Sequence, residues 1–352
     1  MKYIFMLMFL FIILAPAIYF YYRNKYRRSL IPLTLFSVIV IGVRLIIKPD
    51  FIFWKWLTLI VQFYVLFMFA YFLCSLVATG IRYFTHKELS QKLPYILITI
   101  AICLTSLGFY THYTKEVKSY DIYINKESSI GGLKVAMLSD LHLGTGTYQE
   151  DVEKLVKTLN DKHYDVVLFC GDFFDETTPY SMIQPCLQEL SNIQTTYGIY
   201  AIEGNHENYA SINNEDIYEN TNIHFLSNNY VCENGLFNII GRTDMISPSQ
   251  KDMQDICKDM DISLPTIVLD HNPKRYQEAI DYCDLQLSGH THNGQVFPGQ
   301  LITNAMYDNG YGLLEKGNYH LIVTSGYGSW GFPYRLLTQC EYVEVNISFM
   351  KK

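Results

Sequence analysis

Two histidines stand two positions apart in the segment 287–295, LSGHTHNGQ, among glycines and small polar residues. Side chains at i and i+2 of an extended segment point to the same side, so His290 and His292 can reach one small volume at a strand's end. A stretch this poor in bulky groups contributes little to a core and is suited to presenting imidazoles. An H-x-H pair does not make a metal site by itself, and the other ligands must come from elsewhere. Four further segments offer them: SDLH at 139–142, GD at 171–172, EGNHE at 203–207 and DHNP at 270–273. Together the five supply Asp140, His142, Asp172, Asn205, His271, His290 and His292, all oxygen or nitrogen donors. Such a set suits borderline divalent ions such as manganese, iron, zinc or cobalt rather than a structural zinc site. Seven ligands exceed what one tetrahedral ion takes and match two ions that share a carboxylate. Of the ten histidines in the chain, His142, His206, His271, His290 and His292 all fall in these segments. Ordinary core histidines would not sort themselves this way.

Each segment follows a short apolar run. LKVAML (133–138) precedes SDLH, DVVLFC (165–170) precedes GD, YGIYAI (197–202) precedes EGNHE, LPTIVL (264–269) precedes DHNP, and DLQL (284–287) leads into GHTH. Runs of this length bounded by polar turns read as buried strands. Between them, 148–159 sets Val152, Leu155, Val156 and Leu159 at helical spacing, 181–192 reads as a second helix and 248–260 as a third. The alternation predicts an α/β domain, in which ligands gather at the carboxyl ends of strands. Further strands are expected at 119–125, 223–226, 236–240, 320–324 and 341–347. A partly helical flap is expected at 208–222, and a Gly- and aromatic-rich loop at 325–335 (SGYGSWGFPYR).

The rest of the chain has another character. Residues 1–119 carry 13 Lys/Arg against 3 Asp/Glu, and residues 120–352 carry 14 against 31. The stretches 3–22, 56–80 and 93–113 contain no charged residue, and a membrane span needs about 20 apolar residues. The stretch 30–47 is slightly short and carries Arg44 near one end, where an arginine can reach the headgroups. The expectation is an α-helical, multi-pass transmembrane region of about four spans at 1–118, then a separate domain at 119–352. Residues 1–20, with Lys2 as a basic start, also resemble a signal peptide, but the apolar run is long for one and no small-residue cleavage site follows. Arg23, Lys25, Arg27 and Arg28 make the densest basic loop, and Arg82, Lys87 and Lys92 lie in the third. The positive-inside rule puts both loops in the cytoplasm and the C-terminal domain outside, against a smaller opposing set, Arg44, Lys48, Lys55, Lys115 and Lys118. Apart from Gln62, Arg44 and scattered Ser/Thr the spans hold no polar groups, so the region reads as an anchor rather than a transport path. Cys74 and Cys103 sit in spans; the other six cysteines lack any CxxC and read as free buried thiols, or as pairs if the domain is exported. The acidic balance of the second part argues against a nucleic-acid partner.

In order along the chain, DLH, GDFFD, GNHE, the lone histidine of LDHNP, and GHTH resemble the five motifs of the calcineurin-like metallophosphoesterases. The likeness covers essentially all of 133–347. SGHTHNGQVFP, EKGNYHLIVTSGYGSWGFPYR and EYVEVNI are similar to the membrane-associated bacterial branch. The resemblance implies a four-layer αββα sandwich, an α/β fold with a two-metal site at its sheet edges. It implies Asp140, His142 and His292 as ligands of a first ion and Asp172 as a bridge. Asn205, His271 and His290 would serve a second ion, with His206 catalytic beside the scissile phosphate. It implies a hydrolase of phosphate mono- or diesters or pyrophosphate bonds, using a hydroxide shared by two divalent ions (manganese, iron or zinc). His206 would stabilise developing charge or protonate the leaving oxygen. Asn293 is a local departure, standing where that branch often has glycine.

The expected substrate is a phosphorylated small molecule or lipid. Anchoring at the bilayer, and the likeness to branches acting on lipid-linked pyrophosphates, point to an envelope lipid or its nucleotide-activated precursor. The rival readings are a binding or scaffold module that no longer catalyses, and an esterase output domain of a membrane sensor. The complete ligand set counts against the first, and the lack of intramembrane ionisable pairs against the second. Singly, Asp140, Asp172 and Asn205 also fit structural turns and His271 a helix entry. Asp175 reads equally as support behind a ligand or as a loop residue, and Glu203 and Glu207 as local hydrogen-bonding or surface groups. Tyr327, Trp330 and Phe332 fit packing of the last loop or the lining of a pocket, with Arg335 open between the two. The oligomeric state has no signature in the sequence.

Overall fold

The structure, a computed structural model, describes residues 2–23, 27–47, 52–86, 90–210, 212 and 214–351. The chain divides into two compact units, Met1–Tyr110 and Thr111–Lys352. The first holds helices α1 (Lys2–Arg23), α2 (Arg27–Ile47), α3 (Ile52–Thr85) and most of α4 (Leu93–Tyr113). Among the described residues, Phe53–Thr85 and Leu93–Tyr113 are long and apolar enough to cross a membrane. In the other two helices the described apolar stretches are Leu10–Phe20 and Thr34–Val43. Two helices thus meet the measure where about four spans were expected. In both α1 and α2 part of the side chains lie outside the described residues. Ile13, Val40, Ile41, Val61 and Val65 pack into a small core in this unit. Of the basic residues that set the expected orientation, Arg23, Lys25, Arg27, Arg28, Arg44, Lys48 and Lys87 have side chains outside the described residues.

The second unit begins ahead of the compositional change at Ser119, because the last turn of α4 and the start of β1 fold with it. Its elements in order are β1 (Lys115–Ser128), β2 (Gly132–Leu138), α5 (Gln149–Lys162), β3 (Val166–Phe169), α6 (Tyr180–Leu190), β4 (Ile199–Ala201), α7 (Asn205–Ala210) and α8 (Asn214–Tyr218). There follow β5 (Ile223–Phe225), β6 (Asn229–Glu233), β7 (Phe237–Gly241), α9 (Met253–Ile256), β8 (Thr266–Leu269), α10 (Tyr276–Ala279) and β9 (Leu285–Ser288). The last are α11 (Gly299–Met306), β10 (Gly312–Lys316), β11 (Tyr319–Val323) and β12 (Cys340–Lys351).

Twelve strands form two mixed six-stranded sheets, ordered β1-β12-β2-β3-β4-β5 and β10-β11-β9-β8-β7-β6. In the first, β2 to β5 run parallel, β12 is antiparallel to β2, and β1 is parallel to β12. In the second, β11, β9, β8 and β7 run parallel, with antiparallel edge strands β10 and β6. The period of two along a strand sorts the side chains into layers. Val135 and Met137 of β2 join Ile239, Ile267, Leu269 and Leu285 in a core between the sheets. Their neighbours Ala136 and Leu138 join Val152, Leu155, Val156, Leu159, Ile183 and Leu187 of α5 and α6. On the other side, Ile240, Val268, Leu321 and Val323 join Met253 and Ile256 of α9 and Tyr276 of α10. The result is helix, sheet, sheet, helix, with the inner strands β3, β4, β7, β8, β9 and β11 buried on both faces.

Two departures from the sequence reading have local causes. The helix expected at 248–260 is only the single turn α9, bracketed by loops rich in Ser, Pro and Asp. Strands β6 and β10 and helix α11 had no strong pattern; β6 and β10 are half-exposed edges, and α11 buries none of its residues. All eight cysteines are free thiols, five of them buried in the second unit.

Candidate metal centre

Every expected ligand lies just beyond the carboxyl end of a parallel strand: Asp140 and His142 after β2, Asp172 after β3, Asn205 after β4, His271 after β8, and His290 and His292 after β9. Both sheets contribute, so the site straddles their shared edge. The loops are tied to each other before any ligand binds. Asp140 N–H donates to the Gly171 carbonyl (3.0 Å) and His142 N–H to the Asp172 carbonyl (3.1 Å). His206 N–H donates to Asp172 Oδ1 (2.8 Å) and His290 N–H to the Asp140 carboxylate (3.2 Å). A side chain at Gly204 would strike the Asp172 carboxylate, and one at Gly289 would strike Ser139 and Asp140. That accounts for the glycines of GNHE and GHTH.

Five of the expected ligands adopt left-handed backbone: Asp140 (φ 56°), His142 (45°), Asp172 (56°), His290 (70°) and His292 (50°). Non-glycine residues rarely do so, and such conformations persist where the surroundings over-determine them, often at functional sites. Asn293 shares the conformation (φ 48°). Asparagine tolerates it better than most residues, which is why it can stand where the related branch often has glycine.

The donor atoms converge in two groups. His142 Nε2 lies 3.1 Å from His292 Nε2, which is 3.4 Å from Asp140 Oδ1. His271 Nε2 lies 3.0 Å from Asp172 Oδ2, and His290 Nδ1 lies 2.6 Å from Asn205 Oδ1. Asp172 Oδ2 is also 3.9 Å from His142 Nε2, so one carboxylate oxygen is turned toward both groups. Ligands held at roughly 2.0–2.2 Å from one ion sit roughly 3–3.5 Å apart, the spacing of the His142–His292, His292–Asp140 and His271–Asp172 pairs. Ligand atoms of Asp140, His142 and His292 lie within 4.8 Å of one another, as do those of Asp172, His271 and His290. His206 makes a third such group with His142 and Asp172, so it stands close against the other donors.

Tautomers test whether a metal fits. His271 Nδ1 donates to the Cys170 carbonyl (2.7 Å), which can only accept, so Nε2 aims at Asp172. A lone pair meeting a carboxylate oxygen at 3.0 Å is stable only with a proton or a metal ion between them. His142 turns Nδ1 toward the Asp175 carboxylate (3.4 Å), leaving Nε2 for the site. Asp175 thus stands behind an expected ligand, an arrangement that orients metal-bound imidazoles. His292 is held differently. Arg335, which has only donors, sits 3.0 Å from its Nδ1 and bonds its carbonyl (2.9 Å). With Nδ1 accepting, the neutral ring carries its proton on Nε2, toward His142 and Asp140, so of these three rings it alone does not have a lone pair preset toward the site. These residues fit a pair of divalent ions.

For His290, His292 and Asp172 the electrostatics agree with ligand chemistry, whereas burial raises Asp140 and, against burial, the surrounding carboxylates raise His271. Burial, reinforced by His271, lowers His290 to about 3, and burial with Arg335 beside it holds His292 well below the usual histidine range. Both rings are neutral at physiological pH. Burial pushes Asp172 up, but the His271 and His206 rings outweigh it and hold the carboxyl well below the ordinary range. His206 is lowered by burial and raised more strongly by Asp172 and Glu176, ending at about 9; its Nδ1 lies 2.8 Å from Glu176 Oε2.

Two supporting groups had escaped assignment. Glu176, unnoticed in the sequence, pairs with His206, and its signal was the acidic run Asp175-Glu176 closing GDFFDE. Arg335 is fully buried and packs against His292 rather than lining an open pocket. Glu207 makes local hydrogen bonds, as read, but at the heart of the site. Its carboxylate accepts from the N–H groups of Asp172 (3.1 Å), Phe174 (3.0 Å) and Gly204 (2.8 Å). Tyr327 and Phe332 are buried in the last loop, while Trp330 is half-buried with its ring 5.9 Å from that of His206.

Two mixed sheets with His and Asp donors at their shared edge define an α/β metal-binding domain of the metallohydrolase kind. Residues 133–294 match the calcineurin-like phosphoesterase family. The chain is 31% identical over 255 residues to an uncharacterized metallophosphoesterase of Aquifex aeolicus, covering 68% of this chain and 96% of that one. It is 33% identical over 242 residues to one from Helicobacter pylori strain J99, covering 66% of this chain and 64% of that protein. A Bos taurus relative named transmembrane protein with metallophosphoesterase domain is 27% identical over 238 residues, covering 62% of this chain and 53% of its own length. The chain thus spans less than two thirds of the length of the Helicobacter relative. It belongs to the calcineurin-like metallophosphoesterase family.

Proposed function

We propose that this chain is a membrane-anchored, two-metal hydrolase of phosphoester or phosphoanhydride bonds. The observation that carries the reading is Asp172, whose Oδ2 is turned toward both donor groups. In this reading Asp140, His142 and His292 hold one divalent ion, Asn205, His271 and His290 hold the other, and Asp172 serves both. A pair of such ions supplies Lewis-acid stabilisation of phosphate oxygens and an acidified water at neutral pH. The protein's part is to hold the imidazoles so that lone pairs point inward, which Asp175 and the Cys170 carbonyl do for His142 and His271. His206, charged and steadied by Glu176, gives a proton to the leaving oxygen or offsets charge developing on it.

Helices α3 and α4 support the anchor. α1 and α2, helical over 22 and 21 residues, are long enough for two further crossings, which gives four. The basic residues of the first and third loops then favour an extracytoplasmic catalytic unit. A phosphorylated lipid or small molecule suits a hydrolase tethered in this way, and the acidic balance disfavours nucleic acid. Full chain purified in detergent should hydrolyse p-nitrophenyl phosphate or its bis ester once manganese is added. A folded chain inactive with manganese, iron, zinc and cobalt alike would refute the reading and favour a binding module.

A further inference from the structure

The loop that carries the GHTH histidines continues into a surface unlike the rest of its unit. From Gly289 to Tyr307 the sequence has no Asp, Glu, Lys or Arg, and from Gly317 to Cys340 it has only Arg335, which is fully buried. Within these two stretches Phe297, Leu301, Ile302, Met306 and Leu337 are 53%, 63%, 59%, 61% and 70% exposed. They belong to one platform. Ile302 and Met306 share a face of α11, one turn apart. Phe297 N–H donates to the Leu336 carbonyl (3.1 Å), and the Gln300 side chain donates to the Leu337 carbonyl (3.0 Å). A cluster of large apolar side chains with no exposed charge among them is unusual on a soluble surface. It is more unusual in residues 120–352, where 31 acidic side chains stand against 14 basic ones.

The platform adjoins the point where the chain enters this unit from α4. Thr111 Oγ1 donates to the Arg335 carbonyl, two residues before Leu337. His112 Nδ1 lies 2.8 Å from Ser329 Oγ in the same loop. The last turn of a helix apolar enough to cross a bilayer is therefore hydrogen-bonded to the loop that bears the patch. Resting on the anchoring proposed above, we infer that this platform is a lipid-contact face. Its side chains enter the outer layer of the bilayer beside the exit of α4 and bring the edge of the metal cleft to the membrane surface. A bilayer accepts the apolar side chains, and the missing charge spares this face the repulsion that anionic headgroups exert on the acidic remainder.

The test uses the full chain in vesicles of phosphatidylcholine and phosphatidylglycerol, with photoreactive benzoylphenylalanine in place of Leu301 or Leu337. A third chain carries the probe at Ile262, an exposed apolar residue in the loop before β8, away from the strand ends that bear the ligands. Irradiation should give phospholipid adducts at Leu301 and Leu337 and none at Ile262. Leu301→Asp with Ile302→Asp should lower the Leu337 adduct by about tenfold while leaving hydrolysis of the water-soluble bis ester unchanged. Adducts to a second copy of the chain, or no adduct from chains that resist extraction with alkaline carbonate, would overturn the inference. Release of the chain by carbonate would defeat the anchor instead. A lipid adduct at Leu301 on added vesicles would then still stand for the platform, and its absence would overturn that too.

Discussion

The substitution Glu207→Gln probes how the site is held rather than what it binds. Glu207 is fully buried, and its two oxygens accept three backbone N–H groups: Oε2 takes those of Asp172 and Gly204, and Oε1 takes that of Phe174. Glutamine is nearly isosteric and keeps one oxygen, enough for the first pair. Its amide nitrogen then confronts the Phe174 N–H, donor against donor. One hydrogen bond to a charged group is lost, costing about 1.5–3 kcal/mol, and a buried donor is left unpaired for about 1–3 kcal/mol more. A total of about 2.5–6 kcal/mol corresponds to a fall in Tm on the order of 10 °C for a unit of this size. The strand end that moves carries Asp172, so manganese affinity should fall about 10- to 100-fold, as when other groups behind metal ligands are removed. Thermal unfolding of the full chain in detergent, with and without chelator, measures the first effect, and competition with a chelating dye measures the second. A Tm unchanged within about 2 °C together with an unchanged manganese affinity would show that Glu207 does not hold the Asp172 loop.

Two further predictions bear on the roles inside the site. Asp172→Ala should lose both ions in metal analysis, whereas His206→Ala should retain them and lose rate by about 10²–10⁴; two ions still bound to Asp172→Ala would contradict the bridge. His206 is raised to about 9 by Asp172 and Glu176 against burial, so it is protonated below that value and the rate should fall as pH rises through it. Bound ions offset part of the Asp172 charge, so this alkaline limb falls at or below pH 9, and Glu176→Gln should move it lower still. A pH–rate profile that Glu176→Gln leaves in place would separate Glu176 from the proton on His206.

The donors were legible because the fold puts a polar tetrapeptide at the end of an apolar run, and both halves of that pattern are local. Val152, Leu155, Val156 and Leu159 likewise declared α5 through their spacing, and all four are buried as expected. What escaped was whatever depends on partners distant in sequence. Arg335 looks like any loop arginine until the fold sets it against His292, 43 positions earlier. Glu176 gains meaning only from His206, 30 positions on. β6 and β10 are edge strands with one face open, so neither strict alternation nor a fully apolar run marks them. α11 buries no residue and begins beside Pro298, which leaves nothing for a core-facing periodicity to reveal. β1 extends beyond 119–125 at both ends because it is held by its pairing with β12 rather than by its own composition.

That pairing has a consequence for how the protein is made. β12 is the last strand in sequence, yet it sits between β1 and β2, matching Lys115 with Cys340 on one side and Met137 with Val343 on the other. While the ribosome is still translating, β1 has no partner and β2 presents an open edge, the kind of edge that invites pairing with another chain. Sheet closure must wait for the final strand, a long-range step of the slow kind. Arg335 comes just ahead of β12 in the chain, so His292 lacks its support until that segment has been made. A transcript that ends early should therefore yield a chain recognisable to proteases and chaperones as unfinished, and not a partly active enzyme.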